Sequence, residues 1–516
     1  MFEKSVGELL QLRAQESPDK TFLNFADQRF SYKEVDELSN RIANSLLDLG
    51  IKKGDKIAML LGNGKEFVLS AFGILKIGAV EVPINTAHKK QLLQYQLDQS
   101  DSVAIIVGTE YLDVVEEVLH ECPKIKHVIV NNDSDHSYIK FSQLLAGLSA
   151  PIEIDVHYTD IQSIMYTSGT TGPSKGVVVT HRHCILIATD WLKINNFSAN
   201  DKLYTPLPLF HTIAHQLGIM SVLVAGAEIA VVEKFSVTNF WNDIRKYEST
   251  VAHVIFAMIP ILLNQKDTPD DKNHNLRSVY IGPSALSDAF EERFGAKVVE
   301  VYGATETAFL TSCEYGEFKA GSCGKANDNY EIKIVDDFDE EVPVNTVGEI
   351  IVRSKQPYSL AQGYYNMYKE TVESFRNLWF HTGDFGYKDE SGYYYFVDRK
   401  KDAIRRKGEN ISSFEVEKII NAHPSVLETA AIAVPSELNE DEVKICVVLQ
   451  KGENLTAQEL FKYAEDHMAK FMVPRYIEFY ESIPKTSNGK VQKVYLREQG
   501  INENTIDKCL INAQKV

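Results

Sequence analysis

Ten residues near the middle of the chain, Thr167 to Gly176 (TSGTTGPSKG), carry the densest chemical signal: three are Gly, five are Ser or Thr, one is Pro and one is Lys. An apolar run (161–166) precedes them and a β-branched run (177–180) follows, so the spacing predicts a tight polar loop between two strands. Such a loop can wrap a polyphosphate, because glycines let backbone N–H groups approach, hydroxyls donate further hydrogen bonds and Lys175 adds positive charge. It is not a P-loop, since no Gly-Lys-Ser/Thr stands at the required distance from a preceding Gly.

A second group follows in VVEVYGATET (298–307), where a strand is expected to stop at Tyr302 and Gly303 and a turn to present Thr305 and Glu306. A flat aromatic can stack on a purine, a hydroxyl can bond a phosphate, and a carboxylate can hold Mg²⁺ that bridges phosphate oxygens. Two histidine-containing stretches invite a metal reading and do not sustain it. HRHC (181–184) is spaced too tightly for a tetrahedral site, and His181 is expected to cap the following helix. His211 and His215 are four apart, as in zinc proteases, but no Glu follows His211.

TSGTTGPSKGV closely resembles the phosphate-loop signature of the adenylate-forming enzymes, the superfamily of acyl-CoA synthetases, luciferases and peptide synthetase adenylation domains. The resemblance continues in the family's order along nearly the whole chain, and it implies roles residue by residue. Thr167, Ser168, Gly169, Thr170, Thr171, Gly172 and Lys175 would hold phosphates, Tyr302 would stack on adenine, Thr305 would bond the α-phosphate, and Glu306 would bind Mg²⁺. In WFHTGDFG (379–386) Asp384 would accept the ribose hydroxyls, on a turn, and Arg399 would meet the same ribose. Lys401 would be the hinge about which a small domain rotates. Arg405 and Gly408 would serve the thioester step, and Lys490, in IPKTSNGKVQK, would reach the carboxylate and the α-phosphate. His211 would line the acyl and thiol channel. Amino-acid-activating relatives carry an Asp beside that position, whereas this chain has no acid between Thr205 and Gln216, which favours a carboxylic acid without an α-amino group. Ile281 and Pro283 depart from the family's usual glycine-rich turn.

The implied reaction converts a carboxylic acid and ATP to acyl-AMP and pyrophosphate, then to acyl-CoA and AMP. Three stretches, FWNDIRKYESTV, HTGDFGYKDESGYYYFVDRK and HMAKFMVPRYIEF, are most similar to crotonobetaine/carnitine-CoA ligases, and a fatty or aryl acid is the other substrate class. The alternative is an acyl-AMP ligase that loads a carrier protein. Against it, the chain ends soon after Lys490 and no carrier domain is expected.

The elements that must position these residues alternate between strand-like and helix-like runs (32–49, 56–61, 67–76, 79–83, 103–107, 127–130), the rhythm of parallel sheets covered on both faces. The expected fold is α/β: a large N-terminal domain (1–398) of parallel-rich sheets flanked by helices, and a small mobile C-terminal α+β domain (399–516). A chain of 516 residues, 44% apolar and 24% charged, is long enough for both. Its formal charge of −18 excludes a general nucleic-acid binder. No apolar run is long enough to span a bilayer, and the polar start is unlike a secretory signal. Six scattered cysteines without a Cys-x-x-Cys pair fit reduced thiols, so a cytoplasmic protein is expected. ATP, CoA and a small carboxylic acid are the expected partners, with Mg²⁺ as cofactor; nothing in the sequence speaks to oligomeric state.

Overall fold

The computed structural model describes residues 2–131, 137–167, 174–255, 258–281, 286–313, 315, 319, 321–399, 404–406, 409–436, 441–485 and 491–513. Side chains of 281, 308, 405, 409, 410 and 511–513 are outside that description. Of the residues singled out from sequence, Ser168, Gly169, Thr170, Thr171, Gly172, Pro283, Lys401, Gly408 and Lys490 therefore lie outside the described residues, as does the side chain of Arg405.

Among the described residues, two large sheets dominate. In the seven-stranded sheet the order is Ile139–Lys140, His127–Val130, Ser102–Val107, Lys56–Leu60, Val80–Pro83, Ile161–Tyr166, Gly176–Thr180, parallel throughout except for the last pair. The nine-stranded sheet is parallel in its middle and antiparallel at both edges, and includes Lys202–Thr205, Val251–His253 and Lys297–Ala304. Alternation along a strand decides which layer each side chain enters. Ile57 and Met59 join one apolar cluster, whereas Ala58 and Leu60 join another beneath the outer helices. The first cluster is continuous from sheet to sheet through the helices Lys65–Lys76 and His181–Ile194, so both helices are buried nearly all round. Lys65–Lys76 is accordingly apolar on nearly every side, whereas His181–Ile194 keeps one polar face of Arg182, Thr189 and Lys193 toward the surface.

Helix starts follow local chemistry. Ser5 with Glu8, Ser31 with Glu34 and Thr456 with Glu459 form reciprocal capping boxes. Helix His181–Ile194 is capped by Thr180, whose hydroxyl accepts from the His183 N–H at 3.1 Å, and not by His181 as the sequence suggested; a short hydroxyl reaches the third amide more directly than an imidazole.

From Tyr330 to Arg399 the strands pair antiparallel. Tyr330–Val335, Gly348–Ser354, Phe380–Lys388 and Tyr394–Arg399 form a four-stranded sheet with its own apolar cluster, which the parallel-rich expectation did not anticipate. Residues from Ile404 on close separate clusters, built on Val426–Pro435, Asp441–Leu449 and Tyr476–Phe479 with helices Ser413–Asn421 and Ala457–His467. The overall class is as expected: a large α/β part followed by a small α+β part.

Candidate active site

Strands Ile161–Tyr166 and Gly176–Thr180 pair antiparallel, with Tyr166 opposite Gly176, so the two strands that flank the polar stretch form a hairpin. Its neck is closed by the Thr167 N–H, which donates to the Lys175 carbonyl at 3.0 Å. Gly176 fits closely here: a Cβ would sit 2.6 Å from the Ile164 methyl, so a larger residue would force that side chain to shift.

Strand Lys297–Ala304 runs one residue past Gly303, where the sequence suggested it would stop, through a register shift between Tyr302 and Gly303. The turn that follows is fixed by reciprocal bonds: the Ala304 N–H donates to Thr307 Oγ1 at 3.1 Å and the Thr307 N–H to the Ala304 carbonyl at 3.2 Å. Thr305 and Glu306 stand on it, both partly accessible.

A segment that sequence reasoning passed over joins these two motifs. Residues 361–365 lie against the hairpin: the Val178 N–H donates to the Gly363 carbonyl at 3.0 Å, the Gln362 N–H to the Val178 carbonyl at 2.9 Å, and the Tyr365 N–H to the Gly176 carbonyl at 2.8 Å. At its start the Ala361 N–H donates to the Glu306 carbonyl at 2.9 Å. From its middle the buried Tyr364 hydroxyl donates to Glu306 Oε1 at 2.8 Å, and Lys175 Nζ lies 4.6 Å over the Tyr364 ring. The signal in sequence was a glycine followed by two tyrosines in a polar stretch; Gly363 has φ +110° and would meet Thr371 at 2.5 Å if it bore a Cβ.

Burial raises the Glu306 carboxyl above its ordinary range, while the Tyr364 hydroxyl and the charges of Lys175 and Arg399 pull it back. Burial likewise raises the Tyr364 phenol, with Glu306 adding to the effect. Magnesium is commonly held by one or two carboxylates plus substrate phosphates. Glu306, anchored through one oxygen beside the hairpin neck, fits that donor set: it would hold the ion, which would supply neutralisation of phosphate charge. Among the described residues, no group of three or more His, Cys, Asp or Glu has the geometry of a metal cage. The HRHC stretch is core: His181 Nδ1 accepts from the Val6 N–H at 3.2 Å, and burial lowers His181 to about 4 and His183 to about 3, leaving both neutral.

The second cluster is Tyr302, Asp384 and Arg399. Asp384, in the HTGD stretch, stands within strand Phe380–Lys388 and is 6% exposed, so it occupies a buried strand position and not a turn. It lies there because its backbone pairs with Arg399 across the ladder. The Tyr302 hydroxyl donates to Asp384 Oδ2 at 2.7 Å, and Arg399 Nε is 3.5 Å from Oδ1. Burial and the Asp384 charge raise the Tyr302 phenol well above its ordinary value, so it stays a donor. A carboxylate offers about four lone-pair sites, of which Tyr302 uses one.

His211 stands on a separate element. It precedes the short helix Thr212–Ala214 and its Nδ1 accepts from the Ile213 N–H at 3.3 Å. His215, its partner at four residues' distance, is buried against Glu81. Arg405 is in strand Ile404–Arg406, paired with Asn410.

The AMP-binding enzyme family matches residues 10–365 of this chain, and the AMP-binding enzyme C-terminal domain matches residues 415–490. The chain belongs to the AMP-binding enzyme family. It is 34% identical over 497 residues to a crotonobetaine/carnitine–CoA ligase of Salmonella typhi, covering 93% of this chain and 96% of the relative. The corresponding ligase of Escherichia coli O7:K1 is 34% identical over 486 residues, covering 91% and 93%. Among solved structures, the anthranilate CoA ligase AuaEII in complex with anthranoyl-AMP superposes with a TM-score of 0.90 at 27% identity, covering 97% of this chain and 98% of that one. ATP-bound MatB from Rhodopseudomonas palustris gives a TM-score of 0.87 at 26% identity, covering 96% and 99%.

Because Glu306 ionises more readily in the unfolded chain than in the fold, its charge opposes folding once pH exceeds the unfolded value. Glu306→Gln is therefore expected to raise the unfolding temperature of the nucleotide-free protein at neutral pH. The gain should vanish as pH falls below about 4, where the wild-type carboxyl is protonated in both states. Thermal unfolding followed by circular dichroism across pH checks this; a gain that persists at low pH, or a loss at neutral pH, contradicts it.

Proposed function

We propose that this member of the AMP-binding enzyme family is an AMP-forming acid–CoA ligase acting on a small carboxylic acid without an α-amino group. The observation that carries the reading is the strap of residues 361–365, which ties the Ser/Thr/Gly hairpin to the Thr305–Glu306 turn and places Lys175 and Glu306 on either side of one tyrosine. Carnitine and crotonobetaine are the first acids to test, since the curated relatives are named for them.

A carboxylate resists thiol attack because its charge repels nucleophiles and oxide is a poor leaving group. Attack of the carboxylate oxygen on the α-phosphorus of ATP, which breaks the α–β phosphoanhydride and expels pyrophosphate, removes that charge and installs AMP as the leaving group, and the protein's part is positioning and charge stabilisation. In this reading the hairpin (167–175) holds the phosphates, Thr305 bonds the α-phosphate, Tyr302 stacks on adenine, and Asp384 with Arg399 holds the ribose. His211 lines the acid and thiol channel. The small domain, 399–516, turns about Lys401; Lys490 serves adenylation, and Arg405 and Gly408 serve the thioester step.

A pyrophosphate-release screen over carnitine, crotonobetaine, hexanoate, octanoate, benzoate and anthranilate, with CoA or a carrier protein added in turn, tests the reading. Acid-dependent release with CoA-dependent thioester is expected; thioester formed on the carrier alone would replace the CoA ligase reading. Lys490→Ala should lose about 10²-fold in adenylation, the scale of one electrostatic donor, yet still convert supplied acyl adenylate to thioester. Equal loss of both half-reactions in single turnovers refutes that division. Tyr364→Phe keeps the ring beneath Lys175 and deletes the hydroxyl on Glu306. A hydrogen bond to a charged group contributes about 1.5–3 kcal/mol, so adenylation kcat/KM should fall about tenfold or more, read by pyrophosphate exchange, while the thioester half-reaction is spared.

A further inference from the structure

The layer between the two large sheets contains a polar network that the proposed chemistry does not use. Glu81, on strand Val80–Pro83, and His215 are both fully buried, with His215 Nε2 and Glu81 Oε1 2.5 Å apart. The same carboxylate oxygen accepts from Gln162 Nε2 at 2.5 Å, and Gln162 belongs to strand Ile161–Tyr166, which leads into the hairpin loop. Next along that strand, Ser163 pairs with Glu81 in the ladder, and its hydroxyl accepts from Gln216 Nε2 at 3.5 Å. The Phe67 ring closes the group edge-on to His215 at 5.5 Å.

His215 and Gln216 open a π-turn, His215–Met220. Both side chains reach the seven-stranded sheet from it, His215 to Glu81 and Gln216 to Ser163, and turns of this kind are rare and frequent at functional sites. The Ser221 hydroxyl donates to the Gln216 carbonyl at 3.3 Å, five residues back, supporting the widened turn. One turn earlier, the His215 N–H donates to the His211 carbonyl at 3.0 Å. A single hydrogen-bonded path thus runs from the hairpin strand through Glu81 and His215 to His211.

The network is not an economical way to stabilise a core. Glu81 Oε2, Gln162 Oε1, His215 Nδ1 and Gln216 Oε1 have no hydrogen-bond partner among the described residues. Apolar residues of similar volume would pack this layer at no loss or with a gain. What the polar pair adds is direction: a short bond between two side chains, one on a strand of the sheet that carries the hairpin and one on the π-turn.

We propose that Glu81 and His215 are positioning residues for the acid-binding end of the site, setting where His211 stands relative to the phosphate hairpin. This rests on the reading of His211 as a channel residue of an acid–CoA ligase. The effect is one-sided. Strand Ile161–Tyr166 stays in register through its backbone ladders whatever the side chains do, so nucleotide binding is held by the sheet. The π-turn is bound to that sheet through Glu81, Ser163, His215 and Gln216, so loosening the pair displaces His211 and the acid.

The test is pyrophosphate exchange with crotonobetaine, or with the panel acid that the wild type turns over, measured against acid and ATP separately and alongside thermal unfolding. Three variants are compared: the apolar swap Glu81→Leu with His215→Phe, Glu81→Leu alone, and Glu81→Gln, whose carbonyl still accepts from His215. The double variant is expected to unfold at or above the wild-type temperature with KM for the acid raised about tenfold, within the scale of a small misplacement, and KM for ATP within about twofold. Glu81→Gln is expected to restore the acid KM. A folded double variant with unchanged acid KM, acid and ATP KM rising together, or Glu81→Gln as impaired as Glu81→Leu overturns the proposal. If the double variant does not fold, Glu81→Leu against Glu81→Gln decides by the same criteria. Wild-type protein that exchanges pyrophosphate with none of the acids overturns the ligase reading and this proposal together, an outcome distinct from an active wild type with indifferent variants.

Discussion

The bond from the Tyr364 hydroxyl to Glu306 is where the architecture converges. Its two ends come from elements that share no sheet: the strap is hydrogen-bonded to strand Gly176–Thr180 of the seven-stranded sheet, and Glu306 follows strand Lys297–Ala304 of the nine-stranded one. Each sheet is rigid because it is buried on both faces, so their relative placement is set by the packed layer between them and by a few polar ties at the rim. With the strap in place, Lys175 at the hairpin neck and Glu306 on its turn flank one aromatic ring, a cation on its face and a carboxylate at its hydroxyl.

The same economy of charge recurs at the second cluster. Tyr302 and Asp384 come from different sheets and meet through a 2.7 Å bond, with Arg399 brought alongside by the ladder that pairs it with Asp384. In both clusters a tyrosine whose ionisation is suppressed by burial donates to a carboxylate. A neutral donor fixes the direction of the acid without neutralising it, which leaves the carboxylate able to accept further hydrogen bonds or to attract a cation. The deep Glu81–His215 pair applies a related device in the layer behind, where a hydrogen bond orients a helix rather than a ligand.

Much of the candidate site was legible because its residues are packed into short, contiguous words. The Ser/Thr/Gly stretch, YGATET and HTGD each gather small and hydroxyl-bearing residues with the candidate functional groups, and such words are read locally. Helices and strands of the first half were legible for a similar reason: inner strands and helices announce themselves as apolar runs, and serine or threonine with a glutamate three residues on marks where helices begin. Where the reading slipped, the cause was a partner far away in sequence. Asp384 looks like a turn residue until Arg399 pairs across from it, and the strand bearing Tyr302 looks finished at Gly303 until strand Ala308–Ser312 folds back on it. Tyr364 was missed outright, because a tyrosine in a polar stretch has no local pattern that separates a surface ring from one holding a carboxylate of another sheet.

Sequence by itself therefore determined the family and the α/β class and singled out the candidate groups for phosphate, ribose and acid, since these reside in local words and in the periodicity of burial. Only the tertiary structure decided which of those groups face one another: Lys175 with Glu306 through Tyr364, Tyr302 with Asp384, His215 with Glu81. The physical reason is that directional bonds between elements depend on how whole sheets pack across a shared apolar layer, and that packing is a property of the assembled core rather than of any stretch of chain.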